Sequence, residues 1–295
     1  MTDNRFSEDQ DGRFFGREDW RFLVAGSDRR FPSPGVDTRF SGSIPWGSPA
    51  SFFAGANGAW FDPSDITTLY QDSAGTTPVT AAGQPVGRML DKSGNGNHAS
   101  QPTGSKRPTY QTGGGLAWLD FSGATKRMQT PIIDFTGSDQ LSVFAGVRKL
   151  SDAAYAVILE IGAGAEINPG TAILYAPRVA NSVRYRFTSY GTAAAPAGTN
   201  NVAYAAPVTS VLTGYSDISA RICTLRIDGA LIQNNTVSQG TGNYGANSLS
   251  IGGRHVDDGF FNGNIYGMVV IGRQPDDAGI QSIESYLAAK TGVTI

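Results

Sequence analysis

From residue 58 onward, short apolar runs alternate with glycine, asparagine, aspartate and proline almost to the end of the chain. Runs at 116–121, 141–147, 156–161, 171–175, 182–188, 222–227, 248–251 and 265–271 are rich in Val, Ile, Leu, Phe and Tyr and bounded by turn formers. Runs of that length and composition read as β-strands. In 222–227, Cys223, Leu225 and Ile227 alternate with Thr224 and Arg226, so the first three are predicted to face a core. Asp228 and Gly229 then lead to Leu231 and Ile232, and such a pair tolerates the two positive φ angles of a type I′ hairpin. Around 182–190, alternation puts Arg184, Arg186 and Tyr190 on one face and Val183, Tyr185 and Phe187 on the other. One helix interrupts the strands: Asp276 or Asp277 caps it, Ile280, Ile283 and Leu287 recur at helical spacing, and Gly292 stops it. Together these elements predict an all-β fold, a two-sheet antiparallel β-sandwich of jelly-roll type with one C-terminal helix.

The first 45 residues follow another rule. Residues 1–40 hold seven of the chain's 23 Lys and Arg, all Arg, and eight of its 25 Asp and Glu. Arg-Phe recurs five times, as Arg5-Phe6, Arg13-Phe14, Arg21-Phe22, Arg30-Phe31 and Arg39-Phe40, at spacings of 8, 8, 9 and 9. Glycine and proline punctuate the stretch and no apolar helical stripe is sustained, which predicts an extended arm over 1–45, then a linker over 46–57 and a single domain over 58–295. Eight or nine extended residues span about 30 Å. An aromatic ring beside a guanidinium, repeated at that interval, suits anchoring into equivalent pockets on neighbouring subunits. A solvated polyampholyte tail is the alternative.

Composition narrows the classes further. The chain has 295 residues, 38 of them glycine, and a formal net charge of −2, so nothing in the charge balance predicts nucleic-acid or anionic-membrane binding. No apolar run approaches the ~20 residues of a membrane span. The polar, acidic first residues predict synthesis in a cytoplasm without a secretory signal. The single Cys223 has no disulfide partner within the chain and reads as a small buried apolar residue.

Several motifs carry a family resemblance. The runs DKSGNGNHA at 91–99, LDFSG at 119–123, LSVFAGV at 141–147, LRIDGAL at 225–231, IGG at 251–253 and FNGNIYG at 261–267 resemble, in order, segments of concanavalin A-like, laminin G-like jelly-roll domains. WFDPSD at 60–65, Gln71-Asp72, PVG at 85–87 and YLAAKTG at 286–292 are similar to the form of this domain found in tailed-bacteriophage virion structural proteins. The resemblance does not by itself fix function; together with the arm's repeat it points to a head decoration protein on the virion surface, held by its arm to the major capsid protein, or to tail proteins in a fibre. It also implies homo-oligomers within the particle and a domain able to bind host glycans. No cofactor is required by it. Some laminin G-like relatives bind calcium, for which Asp91, Asn95, Asn97, Asp257 and Asp258 supply oxygen ligands here.

Catalysis finds little support. Polysaccharide cleavage needs two carboxyl groups at defined separation. The Glu-x-Asp-x-x-Glu pattern of related glucanases is absent, and after residue 57 the only glutamates are Glu160, Glu166 and Glu284, expected as solvated charges and a helix residue. His98 and His255, the only histidines, stand outside any triad or metal spacing. Arg184, Arg186 and Tyr190 are the candidate ligand face, suited to a sugar acid or a neighbouring subunit. A non-enzymatic protein is expected.

Overall fold

The computed structural model describes residues 48–123, 125–162, 169–198 and 202–295. The Arg-Phe arm, the first two linker residues and Glu166 lie outside the described residues. In chain order the strands are β1 (Gly58–Phe61), β2 (Leu69–Tyr70), β3 (Arg88–Met89), β4 (Ala99–Ser100), β5 (Thr109–Gly113), β6 (Leu116–Asp120), β7 (Met128–Asp134), β8 (Gln140–Lys149) and β9 (Val157–Ile161). There follow β10 (Thr171–Tyr175), β11 (Arg186–Tyr190), β12 (Ala194–Gly198), β13 (Val208–Asp217), β14 (Ile222–Ile227), β15 (Ala230–Asn235), β16 (Ala246–Ile251) and β17 (Gly263–Ile271), then helix α1 (Asp277–Thr291).

These strands form two antiparallel sheets, the sandwich expected from the sequence. One has eight strands in the order β15-β14-β13-β8-β17-β6-β5, with β1 also paired to β17. The other has nine, in the order β12-β11-β10-β9-β16-β7-β4-β3-β2. Between them lies one apolar core that includes Phe121, Phe135, Leu141, Val143, Leu159, Leu174, Phe187, Leu225 and Leu249. Cys223, Leu225 and Ile227 all face it, and burial pushes the Cys223 thiol up to about 12, so it stays protonated. Asp228 and Gly229 take φ of 50° and 75°, the left-handed pair that a type I′ turn requires.

Helix α1 covers the outer face of the eight-stranded sheet. The Asp276 carboxylate caps it by accepting from Gly279 N at 2.9 Å, and Gly292 ends it at φ 74°. Ile280, Ile283 and Leu287 pack on Phe144, Val211, Val269 and Ile271, joined by Phe53 from the turn at Pro49–Phe53. Thr224, outward by alternation, is therefore buried beneath this layer, and Arg226 meets the buried Glu284 at 2.7 and 3.0 Å.

Two readings of the sequence need correction. The run 182–188 becomes strand only from Arg186, because the Val183 carbonyl accepts from Tyr204 N at 2.9 Å, and Asn181 sits at φ 61°. The charge at Glu160 is not solvated, its side chain being buried and ion-paired to Arg254 at 3.0 Å; Glu284 lies in the helix as expected, buried and paired to Arg226 at 2.7 Å.

Candidate functional site

At one edge of the sandwich, the last strands of the two sheets, β12 and β15, approach each other. In β15, Gln233 and Asn235 lie opposite Leu225 and Cys223, on the face that elsewhere points to the core. Being polar at an edge, they bind the opposing strand instead of apolar side chains: Gln233 Oε1 accepts from Gly198 N at 2.8 Å and Asn235 Nδ2 donates to Pro196 O at 2.5 Å. Because β12 reads Ala-Ala-Pro-Ala-Gly, its low side chains leave a hollow of about 290 Å³. Its lining includes Arg178, Arg184, Arg186, Pro196, Gln233 and Asn235.

The segment 178–184 forms the rim and is tied down from below. Asp152 accepts from Asn181 N through its backbone carbonyl at 2.7 Å and from Ala206 N through its carboxylate at 2.7 Å. The same carboxylate meets the fully buried Lys149 at 2.5 Å, and that ammonium lies 4.6 Å from the centre of the Tyr185 ring. Burial holds the Lys149 ammonium below its ordinary range, against the opposing pull of Asp152.

Three arginines give the hollow its charge. Arg178 and Arg184 are exposed and Arg186 is half-buried. Arg178 stacks at 5.9 Å from the Tyr175 ring centre. Burial, and then the like charge of Arg178, hold Arg186 below the ordinary guanidinium value, although an arginine remains charged. Two of the three sequence-proposed ligand residues thus meet at one site, Arg186 from β11 and Arg184 from the irregular rim before it. Tyr190 is at the far end of β11, roughly 13 Å of strand from Arg186, and does not line the hollow. Arg178, Gln233 and Asn235 were missed. Only the paired amides at positions i and i+2 of a predicted hairpin strand could have signalled the last two.

The proposed calcium ligands fall in two places, Asp91, Asn95 and Asn97 after β3 and Asp257 and Asp258 after β16. Asp91 accepts from Trp60 N, Ser93 N, Ser93 Oγ and Asn97 N at 2.7–2.9 Å. Asn95 and Asn97 donate their amides to Gly58 O at 3.2 and 2.8 Å. Asp257 pairs with Lys106 at 2.6 Å and Arg127 at 3.0 Å, and Asp258 accepts from Gly259 N. Among the described residues no group of three His, Cys, Asp or Glu could hold a metal ion. The ring of His98 accepts from Asp91 N at 3.0 Å.

No known protein family matches the chain, and no curated protein matches it in sequence. Solved structures match in fold. Botulinum neurotoxin type C, which depends on interaction with two ganglioside molecules to enter cells, aligns over 81% of this chain and 53% of its own, with a TM-score of 0.54 and 12% identity. The binding domain of botulinum neurotoxin serotype G aligns over 68% of this chain and 49% of its own, with a TM-score of 0.52 and 12% identity. Trypanosoma rangeli sialidase, in complex with sialic acid, aligns over 82% of this chain and 34% of its own, with a TM-score of 0.52 and 16% identity. The chain thus spans about half of each toxin structure and a third of the sialidase. At these identities the likeness is one of fold: a β-sandwich shared with toxin binding domains and a sialidase.

Proposed function

We propose that the sandwich is a non-catalytic glycan-binding module and that glycan docks in the hollow between β12 and β15. The carrying observation is the hollow itself, a concave site lined by planar hydrogen-bonding side chains, Arg184, Arg186, Gln233 and Asn235. Planar groups with paired donors suit the paired oxygens of a sugar. The fold supports this reading, being shared with a toxin that interacts with gangliosides and a sialidase that holds sialic acid. Against catalysis stand Glu160 and Glu284, both buried in ion pairs with arginine. The test is a glycan array with the purified protein, with and without calcium. Binding in the micromolar range, unchanged by EDTA, is expected; no binding at high micromolar protein overturns the reading.

The five Arg-Phe pairs favour a second, compatible reading: a bacteriophage virion structural protein, with the sandwich displayed on the particle and the arm anchored to capsid or tail proteins. Each pair alone binds weakly, whereas linked pairs gain from effective concentration. Copies per particle separate head from tail, with hundreds expected for a head decoration protein and a handful for a fibre. Absence of the chain from purified particles overturns this reading.

A further inference from the structure

The hollow carries more positive charge than a neutral sugar calls for. Arg178, Arg184 and Arg186 all line it, and among the described residues no carboxylate pairs with any of them. Elsewhere in the molecule the arginines that leave water find acids or backbone carbonyls: Arg127 meets Asp257, Arg226 meets Glu284 and Arg254 meets Glu160, while Arg88, Arg107 and Arg273 donate to carbonyl oxygens. Arg186 differs. It is half-buried, its Nε–H is buried with no hydrogen-bond acceptor, and the charge that acts on it most strongly is another arginine, Arg178. A desolvated guanidinium beside a like charge is unfavourable in the free protein and is relieved when an anion enters. The wall opposite offers amides, with no acid among the lining residues to repel such an anion.

We propose, resting on the glycan-binding reading above, that the hollow takes the acid group of an anionic sugar, with Arg186 and Arg184 as its charge partners. The volume of about 290 Å³ lies at the small end of ligand sites, which favours a single terminal unit over the interior of a chain. A guanidinium pairs in fork geometry with either carboxylate or sulfate, so the chemistry common to both is an oxyanion on a sugar ring.

Calorimetric titration of the full chain with glucuronate, N-acetylneuraminate, glucose 6-sulfate and glucose tests this. The acidic sugars are expected to bind at least roughly tenfold more tightly than glucose, as one charge-assisted contact implies. Their affinity is expected to fall as salt is raised. Arg186→Gln and Arg184→Gln should each weaken the acidic sugars roughly 10- to 100-fold. Arg184 is exposed, so its variant keeps the melting temperature of the parent even if Arg186→Gln does not. The better of the carboxylate and sulfate ligands identifies the acid group. Equal affinity for glucose and glucuronate overturns the inference and leaves glycan binding standing, whereas no affinity for any sugar in this titration or on the array overturns both. Acidic-sugar binding that survives both substitutions removes it from this hollow.

Discussion

Asp62 gathers donors from both ends of the described chain. Its carboxylate accepts from Ser64 N at 3.0 Å, Ser64 Oγ at 2.6 Å and the Tyr286 hydroxyl at 2.7 Å, with Lys92 at 3.4 Å and Lys290 at 3.3 Å. Burial pushes its carboxyl up, but the hydrogen bonds from Ser64 and Tyr286 and the two lysine charges outweigh that and hold it below the ordinary value. A depressed carboxyl contributes stability that is fully present above the unfolded value of about 3.9 and is lost as pH falls through the folded one. Asp62→Asn is therefore expected to cost about 3 kcal/mol at pH 7 by urea denaturation, as removal of one partner from a buried ion pair does. The deficit should shrink below about pH 4, where the unfolded parent protonates first and the folded carboxyl follows at lower pH. An equal deficit at pH 7 and pH 3 would show that shape, not charge, is at work. His98 has the same sign of dependence: burial, then the charge of Arg88, depress its imidazole below 6.5. Its ring accepts from Asp91 N, so protonation must break that bond. Stability is expected to drop between pH 7 and pH 5, and His98→Gln to flatten that drop. The motifs at 60–65 and 286–292 were visible in the sequence as a likeness, yet nothing there says that Asp62 binds Tyr286, because partners 224 residues apart leave no local pattern.

Among the elements, α1 and the strands built of β-branched and aromatic residues were legible because cap, stop and periodicity are local signals. β13 was not. Its core-facing positions are Leu212, opposite Ile227, then Gly214 and Ser216, opposite Leu225 and Cys223, while Val211, Thr213 and Tyr215 face outward towards α1, so in its second half the alternation reads inverted. The inversion has a packing cause. A Cβ on Gly214 would lie 2.6 Å from the Phe187 ring of the opposite sheet, and Ser216 joins Ser189 and Tyr244 in a buried hydroxyl cluster satisfied by Gln239. Glycine and serine are thus required where a sequence reader expects leucine. Gly214→Ala is predicted to destabilise by about 1–3 kcal/mol through overpacking. Phe187→Leu in the same chain should recover part of that loss in a double-mutant cycle. Additive effects would mean that the ring and the glycine do not compete for the same space. The candidate site was half legible for a related reason: alternation put Arg184 and Arg186 on one side. The opposite wall comes from β15, whose register against β12 is a tertiary fact.

For the molecule as a whole, charge and apolar positions are unevenly divided along the sequence. Residues 1–40 hold seven of the 23 cations and eight of the 25 acids, and all five Arg-Phe pairs. The sandwich closes a core from residues 59 to 270 and a second apolar layer under α1 that, among the described residues, reaches back to Phe53. Because the arm sustains no apolar periodic pattern of its own, deleting residues 1–45 is expected to leave a folded, glycan-competent protein whose melting temperature stays within about 2 °C of the parent, since a change of 1 kcal/mol in a domain of this size moves it by roughly 2–4 °C. If the arm is a multivalent anchor, the same deletion abolishes incorporation into particles. Replacing Arg-Phe pairs one at a time should lower occupancy progressively, because each lost contact divides the avidity rather than subtracting from it. Substituting both residues of one pair, Arg21→Ala with Phe22→Ala, gives the sharpest reading. A central pair should cost as much as a terminal one if every pair docks alike, and less than all five together. Normal occupancy of the truncated protein would remove the arm from any anchoring role and leave the sandwich itself as the surface that meets the particle.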